Sequence, residues 1–364
     1  MAAALFHGRI FRERLKILTE LFIITAIALV KVLVVFGAVQ VGIMYMTLAE
    51  RRVSALIQDR LGPNRVGWQG LLQPVADGLK FLFKEDIIPA RADVVIYLLA
   101  PAMILIPALM TFAVIPFGES IVVAGRPIQP QIADINIGLL FIIAMASISV
   151  YGIIFGAWAS SSKYAMMGGL RSCAQMISYE IPLGLSVIGV LMLTGTLRLD
   201  RVVELQTTYI WGVIPRWNIL LQPVAFLLFL TSALAENNRL PFDFPEAEQE
   251  LVAGYHTEYS SMKFAMFFMA EYAAMITNSA LIVVLFFGGW HVPGLDALGL
   301  PPLLKELLQM GAFALKVAFF LFLYIWVRWT FPRFRYDQLM RLCWKILLPL
   351  ALANIFFTGI LMAL

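Results

Sequence analysis

Residues 21–49 read LFIITAIALVKVLVVFGAVQVGIMYMTLA, and Lys31 is the only charge among them. A hydrocarbon core about 30 Å thick is crossed by about 20 consecutive apolar residues in a helix, so this stretch has length to spare. Arg9, Arg12, Arg14 and Lys16 precede it, as basic residues do in a signal peptide. The apolar run is far longer than the roughly 7–15 residues of a signal-peptide core, and it reads as a first transmembrane helix. Further stretches pass the same test at roughly 94–116, 137–159, 172–195, 218–236, 263–287, 307–328 and 340–362. Lipid offers no partner to backbone N–H and C=O groups, so only helices and closed barrels cross it, and none of these runs alternates like a barrel strand. The predicted fold is an all-α integral membrane protein. It forms one transmembrane domain over 1–364, a bundle of about eight transmembrane helices with an N-terminal tail at 1–20. No period of 20–50 residues and no inverted pair of halves is visible, which weighs against transporters built from two related halves.

Composition points the same way. The chain is 61% hydrophobic and 14% charged, whereas a soluble domain carries about 25% charged residues. The net charge of +4 fits a bias of basic residues toward cytoplasmic loops, and no nucleic-acid partner is expected. The loops after the first, third, fifth and seventh spans hold 15 Lys and Arg; the N-terminal tail and the other loops hold nine. By the positive-inside rule the first set is cytoplasmic and both termini lie outside. Cys173 and Cys343 sit in apolar stretches without C-x-x-C spacing and read as buried small hydrophobes. The only histidines are His7, His256 and His291. They offer no facing pair for a haem, no metal site is expected, and no glycine-rich phosphate loop or nucleotide fingerprint appears. Any redox chemistry must draw on a partner's cofactor.

Two loops are too patterned to be connectors. In 49–93, Val53, Leu56, Ile57 and Leu61 share one helical face while Arg51, Arg52, Asp59 and Arg60 lie elsewhere, which predicts a helix lying in the membrane interface. The turn Gly62-Pro63-Asn64-Arg65 breaks it. A second amphipathic stretch sets Leu72, Val75, Leu79 and Leu82 against Asp77, Lys80 and Lys84. Simple interfacial anchoring is the plainer account of both. In 236–262, Glu236, Asp243, Glu246, Glu248, Glu250 and Glu258 face a single Arg239 among stiffening Pro241 and Pro245. Carboxylates this dense repel one another, so their titrations are expected to rise and couple. That suggests proton handling or charge sensing, with a solvated acidic loop as the bland alternative. Glu180 and Glu271 lie inside spans, as do Lys31, Lys316 and Lys345. Ionisable groups in a bilayer face the bundle interior or a water path, so Glu180, Glu236 and Glu271 are candidates for a proton relay. Lys31 and Lys345 are near span ends and can snorkel; Lys316 is near the middle of its span.

The string Glu50-Arg51-Arg52, followed by Arg60-Leu61-Gly62-Pro63-Asn64-Arg65-Val66-Gly67, Leu72-Gln73-Pro74-Val75-Ala76-Asp77 and Phe83-Lys84-Glu85-Asp86, resembles the first loop of a known family. That family is the quinone-site membrane subunit of bacterial respiratory complex I (proton-translocating NADH:quinone oxidoreductase). Arg239-Leu240-Pro241-Phe242-Asp243-Phe244-Pro245-Glu246-Ala247-Glu248-Gln249-Glu250-Leu251 resembles the same family, continuing through Gly254-Tyr255-His256 to Glu258-Tyr259-Ser260. Pro332-Arg333-Phe334-Arg335-Tyr336-Asp337-Gln338 matches as well. The resemblance covers nearly the whole chain after about residue 20.

The resemblance implies that the cytoplasmic loops join soluble iron–sulfur and quinone-site subunits to form a chamber for a lipid-soluble quinone. FMN and iron–sulfur clusters would sit on those partners, and this chain would bind no redox cofactor of its own. Glu50, Arg51, Arg60, Asp77, Arg333 and Arg335 would line the quinone path. Glu180, Glu236, Asp243, Glu246, Glu248, Glu250 and Glu271 would begin a proton pathway toward antiporter-like membrane subunits. The location implied is a bacterial plasma membrane, amid membrane lipid. Two alternatives remain beside it: the membrane subunit of an energy-converting hydrogenase, and a stand-alone ion or solute transporter.

Overall fold

The computed structural model describes residues 2–123, 126–210, 214–244 and 248–364, with side chains throughout except at 2–17, 121–128, 210–214, 245–249 and 296–297. Among the described residues, seven helices are long and apolar enough to cross a membrane: Leu18–Ile57, Val94–Ala113, Gly138–Ala159, Lys163–Thr194, Ser261–Phe286, Pro302–Thr330 and Tyr336–Ala363. The chain is a multi-pass membrane protein. Helix α1 runs unbroken over Ala2–Ile57, so the predicted tail and the start of the first loop are both helical continuations of the first span. The interfacial helix expected at 50–61 is therefore the end of α1 and not a separate element. The second amphipathic stretch is a separate helix, α2 (Gln73–Phe83). It is followed by α3 (Val94–Met110), α4 (Gly138–Ala159) and α5 (Lys163–Thr194). Two-stranded hairpins pair Ile121–Val123 with Arg126–Ile128 and Tyr209–Ile210 with Ile214–Pro215; the first precedes α4, and the second follows a short helix α6 (Leu199–Leu205).

The fifth predicted span, 218–236, departs from expectation. Gln222 leaves the helical region at φ −134° and ψ 57°, and Pro223 restarts the chain without an N–H to give. The stretch divides into α7 (Asn218–Leu221) and α8 (Pro223–Glu236). Fourteen residues of α8 cover about 21 Å at 1.5 Å each, less than the hydrocarbon thickness. The following segment, Asn237–Phe244, continues inside the protein: Asn237, Arg239, Phe242 and Phe244 are all buried. Irregular backbone at that depth survives only where protein satisfies it. Here the buried Gln175 amide donates to the carbonyls of Ala235 and Phe242, both at 2.8 Å.

A single turn, α9 (Glu248–Leu251), precedes the next span. That span, α10 (Ser261–Phe286), is the central column, with Leu281 through Phe286 at most 2% exposed. It packs on α3, on α11 (Pro302–Thr330) and on α1 and α2. Small residues bring α3 and α4 close: a Cβ on Gly152 would stand 2.8 Å from the Ile104 nitrogen. The last helix begins as α12 (Tyr336–Arg341), passes through a π-helical turn at Leu342–Leu347 and ends as α13 (Leu348–Ala363). There the Cys343 thiol donates to the Ser178 carbonyl at 3.0 Å; Cys173 and Cys343 are both free.

Candidate functional site: a charged cavity between α1, α2, α10 and α11

The amphipathic α2 leans across the end of α1 and α10. Its hold on α1 is ionic: Arg51 donates to Asp77 at 2.6 Å, and Gln73, one turn before Asp77, donates to the same carboxylate at 3.2 Å. The far end of α2 is tied to α10. The Ser261 hydroxyl donates to Phe81 O at 2.9 Å, the Ile87 N–H donates to the Ser260 hydroxyl at 3.0 Å, and buried Lys263 reaches Asp86 at 2.8 Å. Ahead of α2, the chain turns back on itself through Gly70 at φ +78°. A Cβ there would stand 2.8 Å from the Pro63 carbonyl carbon and closer still to its oxygen, so only glycine fits.

Between these elements lies a cavity of 620 Å³, within the roughly 300–1,000 Å³ of small-molecule sites. One side is apolar, formed by Met44, Leu82, Phe264, Phe268 and Met269. The other carries Glu50, Arg51, Arg60, Asp77, Tyr272 and Arg328. Such a space takes a molecule with an apolar body and a polar head.

Glu50 is the hub of the polar end. Although 93% buried, it is not isolated: Arg239 from the buried loop donates to it at 2.8 Å, the Tyr272 hydroxyl donates at 2.6 Å, and Arg328 makes a short contact with the same carboxylate. Arg239 also forms a close ion pair with Glu271, and its guanidinium lies 4.7 Å over the Tyr272 ring. Two carboxylates and two guanidiniums thus balance where burial would make an uncompensated charge costly. Arg239 joins the cavity wall to the bundle interior.

Of the residues predicted for the quinone path, Glu50, Arg51, Arg60 and Asp77 share the cavity wall. Arg333 and Arg335 are not among its lining residues. Arg333 pairs with Asp243 at 2.9 Å, beside a stack of Phe334 on Phe242 with centroids 5.5 Å apart. Arg335 is exposed and pairs with Asp337 at 3.1 Å. The predicted relay residues do not form one cluster. Glu271 meets Arg239; Glu236 accepts from Asn278 at 3.2 Å; Glu180 takes a short hydrogen bond from Ser147. The mutual repulsion expected in the acidic loop is relieved by arginines from other elements: Asp243 faces Arg333, and Glu250 faces Arg171 at 2.5 Å. Glu246 lies outside the described residues; Glu248 begins α9, and its side chain lies outside them as well.

The sequence alone assigns no role to Tyr272, Arg328 or the Arg239 bridge. Arg328 counts there among the loop bases that set topology; its place at a span end beside Trp329, whose ring nitrogen donates to Ser54 at 2.7 Å, is the available signal. His256 lies in the 236–262 loop, its ring packed against Phe264 and Phe268 at 5.2 and 5.9 Å. Burial pushes its imidazole down to about 4, so it stands neutral behind the apolar wall. Of the intramembrane lysines, Lys316 donates to the carbonyls of Phe287, Gly289 and His291, each at 2.9 Å, and caps the end of α10. Lys31 donates to Gln131 O at 3.1 Å.

The family profile described as NADH dehydrogenase matches residues 30–359. The chain belongs to the NADH dehydrogenase family. Similar members include a protein of Geobacter sulfurreducens, 52% identical over 345 residues that cover 92% of this chain and 94% of the relative. Another, from Cytophaga hutchinsonii, is 51% identical over 316 residues (87% and 91%), and one from Rhizobium meliloti is 49% identical over 344 (94% and 99%). Each of the three is named as a subunit of NADH-quinone oxidoreductase. The residues matched by the family profile take in the second half of α1, α2 and the buried Asn237–Phe244 segment that build the cavity.

Proposed function

We propose that this chain is the membrane-arm subunit of a proton-translocating NADH:quinone oxidoreductase and that its cavity receives the quinone. The single observation that carries the reading is the cavity itself, apolar on one wall and lined by Glu50, Arg51, Arg60 and Asp77 on the other, in a chain of this family. A quinone has the same division, an isoprenoid tail and a ring with two carbonyl oxygens. Cationic side chains at the polar end stabilise negative charge as the ring is reduced. The electrons come from FMN and iron–sulfur clusters on soluble partner subunits that dock on the loops around α2 and Arg333. The antiporter-like membrane subunits take up the proton-pumping load. The setting is a bacterial plasma membrane, with the α2 side cytoplasmic and both termini outside.

The coupling step follows from Arg239. Reduction in the chamber changes the charge near Glu50; Arg239, shared by Glu50 and Glu271, then redistributes between the two carboxylates. Glu271 begins the inward route, with Glu236 and Glu180 deeper in the bundle. This is a two-state account in which one bistable contact is biased from both sides.

The test is NADH:quinone reductase activity in membranes carrying Arg51→Ala, with NADH:ferricyanide activity and assembly as controls. Loss of quinone turnover in an intact complex that still oxidises NADH supports the assignment. Full quinone turnover with an unchanged quinone KM overturns it.

A further inference from the structure

A second polar space lies at the other end of the bundle. Arg328 and Lys305 are 23 positions apart on α11, which is about 35 Å along a helix, and Lys305 borders a separate cavity of 330 Å³. Glu119, Asp200, Glu204, Trp290, His291 and Gln309 line it with Lys305. No role in the quinone chamber reaches this far.

Two observations single out this cavity as more than an acidic patch. Gln309 is 96% buried, lines the space and leaves its side-chain oxygen without a hydrogen-bond partner. One turn before it on the same helix, Glu306 is equally buried, and its Oε1 also lacks a partner. That oxygen rests against Gly118, a residue of the cavity wall, so closely that a methyl group there would collide with it. Glycine at 118 is what lets the carboxyl lie directly against the cavity wall.

The charges around Glu306 are otherwise engaged. Glu119 borders it and is held by Lys305 at 2.9 Å and by the Gln309 amide at 3.3 Å. On α6 and next to it, Arg198 bridges Asp134 and Asp200 at 2.7 and 2.8 Å, and Arg201 holds Glu204 at 2.6 Å. His291 faces the same space, and its backbone carbonyl accepts from Lys316. A buried carboxyl beside a second carboxylate, with one oxygen unmatched, is placed to take up a proton from water in the cavity.

We propose that Glu306 is a proton-binding site exchanging with the aqueous face opposite the Glu50 cavity, through the space bounded by Gly118, Glu119 and Gln309. It is separate from the Glu50–Arg239–Glu271 chain: along α11, Phe320 stands between Glu306 and Arg328, packed on Phe287 with centroids 5.1 Å apart and with Phe226 against both.

The test uses the intact complex in proteoliposomes whose orientation is read from an affinity tag after Leu364. The C-terminal helix ends beside Gln222, which accepts from Asn354 at 2.9 Å and donates to Thr358 at 2.7 Å; α7 next to it reaches the end of α10 through Asn218 and Leu285 at 2.7 Å. The tag therefore marks the cavity's side. A membrane-impermeant carbodiimide, which modifies protonated carboxyls, is applied to either face at about pH 6 and about pH 8, followed by peptide mapping. The expected result is labelling of Glu306 from the tag side, falling about tenfold or more between those pH values and absent in Glu306→Gln. No label on Glu306, label only from the Glu50 side, or pH-independent label overturns the proposal.

Discussion

Replacing Glu50 with glutamine keeps the shape of the side chain and removes the charge on which three donors converge. Arg239 loses the anion it holds at 2.8 Å while keeping Glu271; Arg328 loses its short contact; the Tyr272 hydroxyl retains an acceptor. Stripping one partner from a buried ion pair costs about 3–5 kcal/mol. Arg239 has a second carboxylate, and the Arg328 side chain is 34% exposed and partly screened, so the lower end of that range applies. About 3 kcal/mol corresponds to roughly a hundredfold effect at 1.36 kcal/mol per decade. Part of the loss falls on folding and part on the arrangement of the polar end. Quinone turnover is therefore expected to drop between about tenfold and a hundredfold, with NADH:ferricyanide activity retained in the assembled fraction. A double-mutant cycle sharpens the test. Arg328→Gln alone should cost less than Glu50→Gln, and the double variant should be no worse than Glu50→Gln alone, giving a coupling of about 1–3 kcal/mol. An assembled Glu50→Gln enzyme with wild-type quinone turnover, or strictly additive losses in the cycle, refutes the hub.

Four further outcomes follow from the same geometry. Arg335→Ala should leave quinone turnover within about twofold of wild type, because its exposed pair with Asp337 is worth about 0–1 kcal/mol; a tenfold loss would return Arg335 to the quinone path. Gly70→Ala should block assembly or lower its yield several-fold by driving a Cβ into the Pro63 carbonyl, read on native gels. Lys316→Met should lower the thermal inactivation midpoint, since three carbonyls at the end of α10 lose a charge-assisted donor worth about 1.5–3 kcal/mol; an unchanged midpoint would show the cap to be dispensable. His256, with its imidazole lowered to about 4 in the folded protein, binds fewer protons there than in an opened form near 6.5. Its contribution is fully present above about pH 6.5 and is lost as pH falls toward 4, by roughly 3 kcal/mol in all. His256→Phe should flatten the pH dependence of thermal inactivation in that window.

The spans were legible because a bilayer imposes one length and one composition on every helix that crosses it. Where the sequence reading failed, local backbone chemistry or long-range pairing decided. Pro223 cut the fifth apolar stretch, and hydropathy averaged over a window does not register a missing N–H. The acidic loop read as a set of mutually repelling carboxylates because the arginines that match it, Arg171 and Arg333, are 79 and 90 residues away in sequence. Motif strings brought forward Glu50, Arg51, Arg60, Asp77, Arg333 and Arg335 alike, and the first four share the cavity wall; a string carries no direction for side chains. Arg239, buried with 8% of its surface exposed, stood out in the sequence only as a lone base among acids.

That lone base reaches its partners from the segment that follows a short α8. Ending at Glu236 lets Asn237–Phe244 turn within the protein, where Gln175 satisfies its backbone and Arg239 can touch Glu50 on α1 and Glu271 on α10 together. Neither carboxylate is tolerable at that depth alone, and the planar fork of a guanidinium presents separate N–H groups to the two sides, a spread that the single nitrogen of an ammonium does not reproduce. The cost of an incomplete span is thus offset by joining the cavity to the bundle interior through one side chain, and Arg239→Lys is predicted to uncouple them. Quinone turnover in that variant should persist while proton translocation per electron falls, measured as pH change in proteoliposomes; equal losses in both would mean that Arg239 only shapes the cavity.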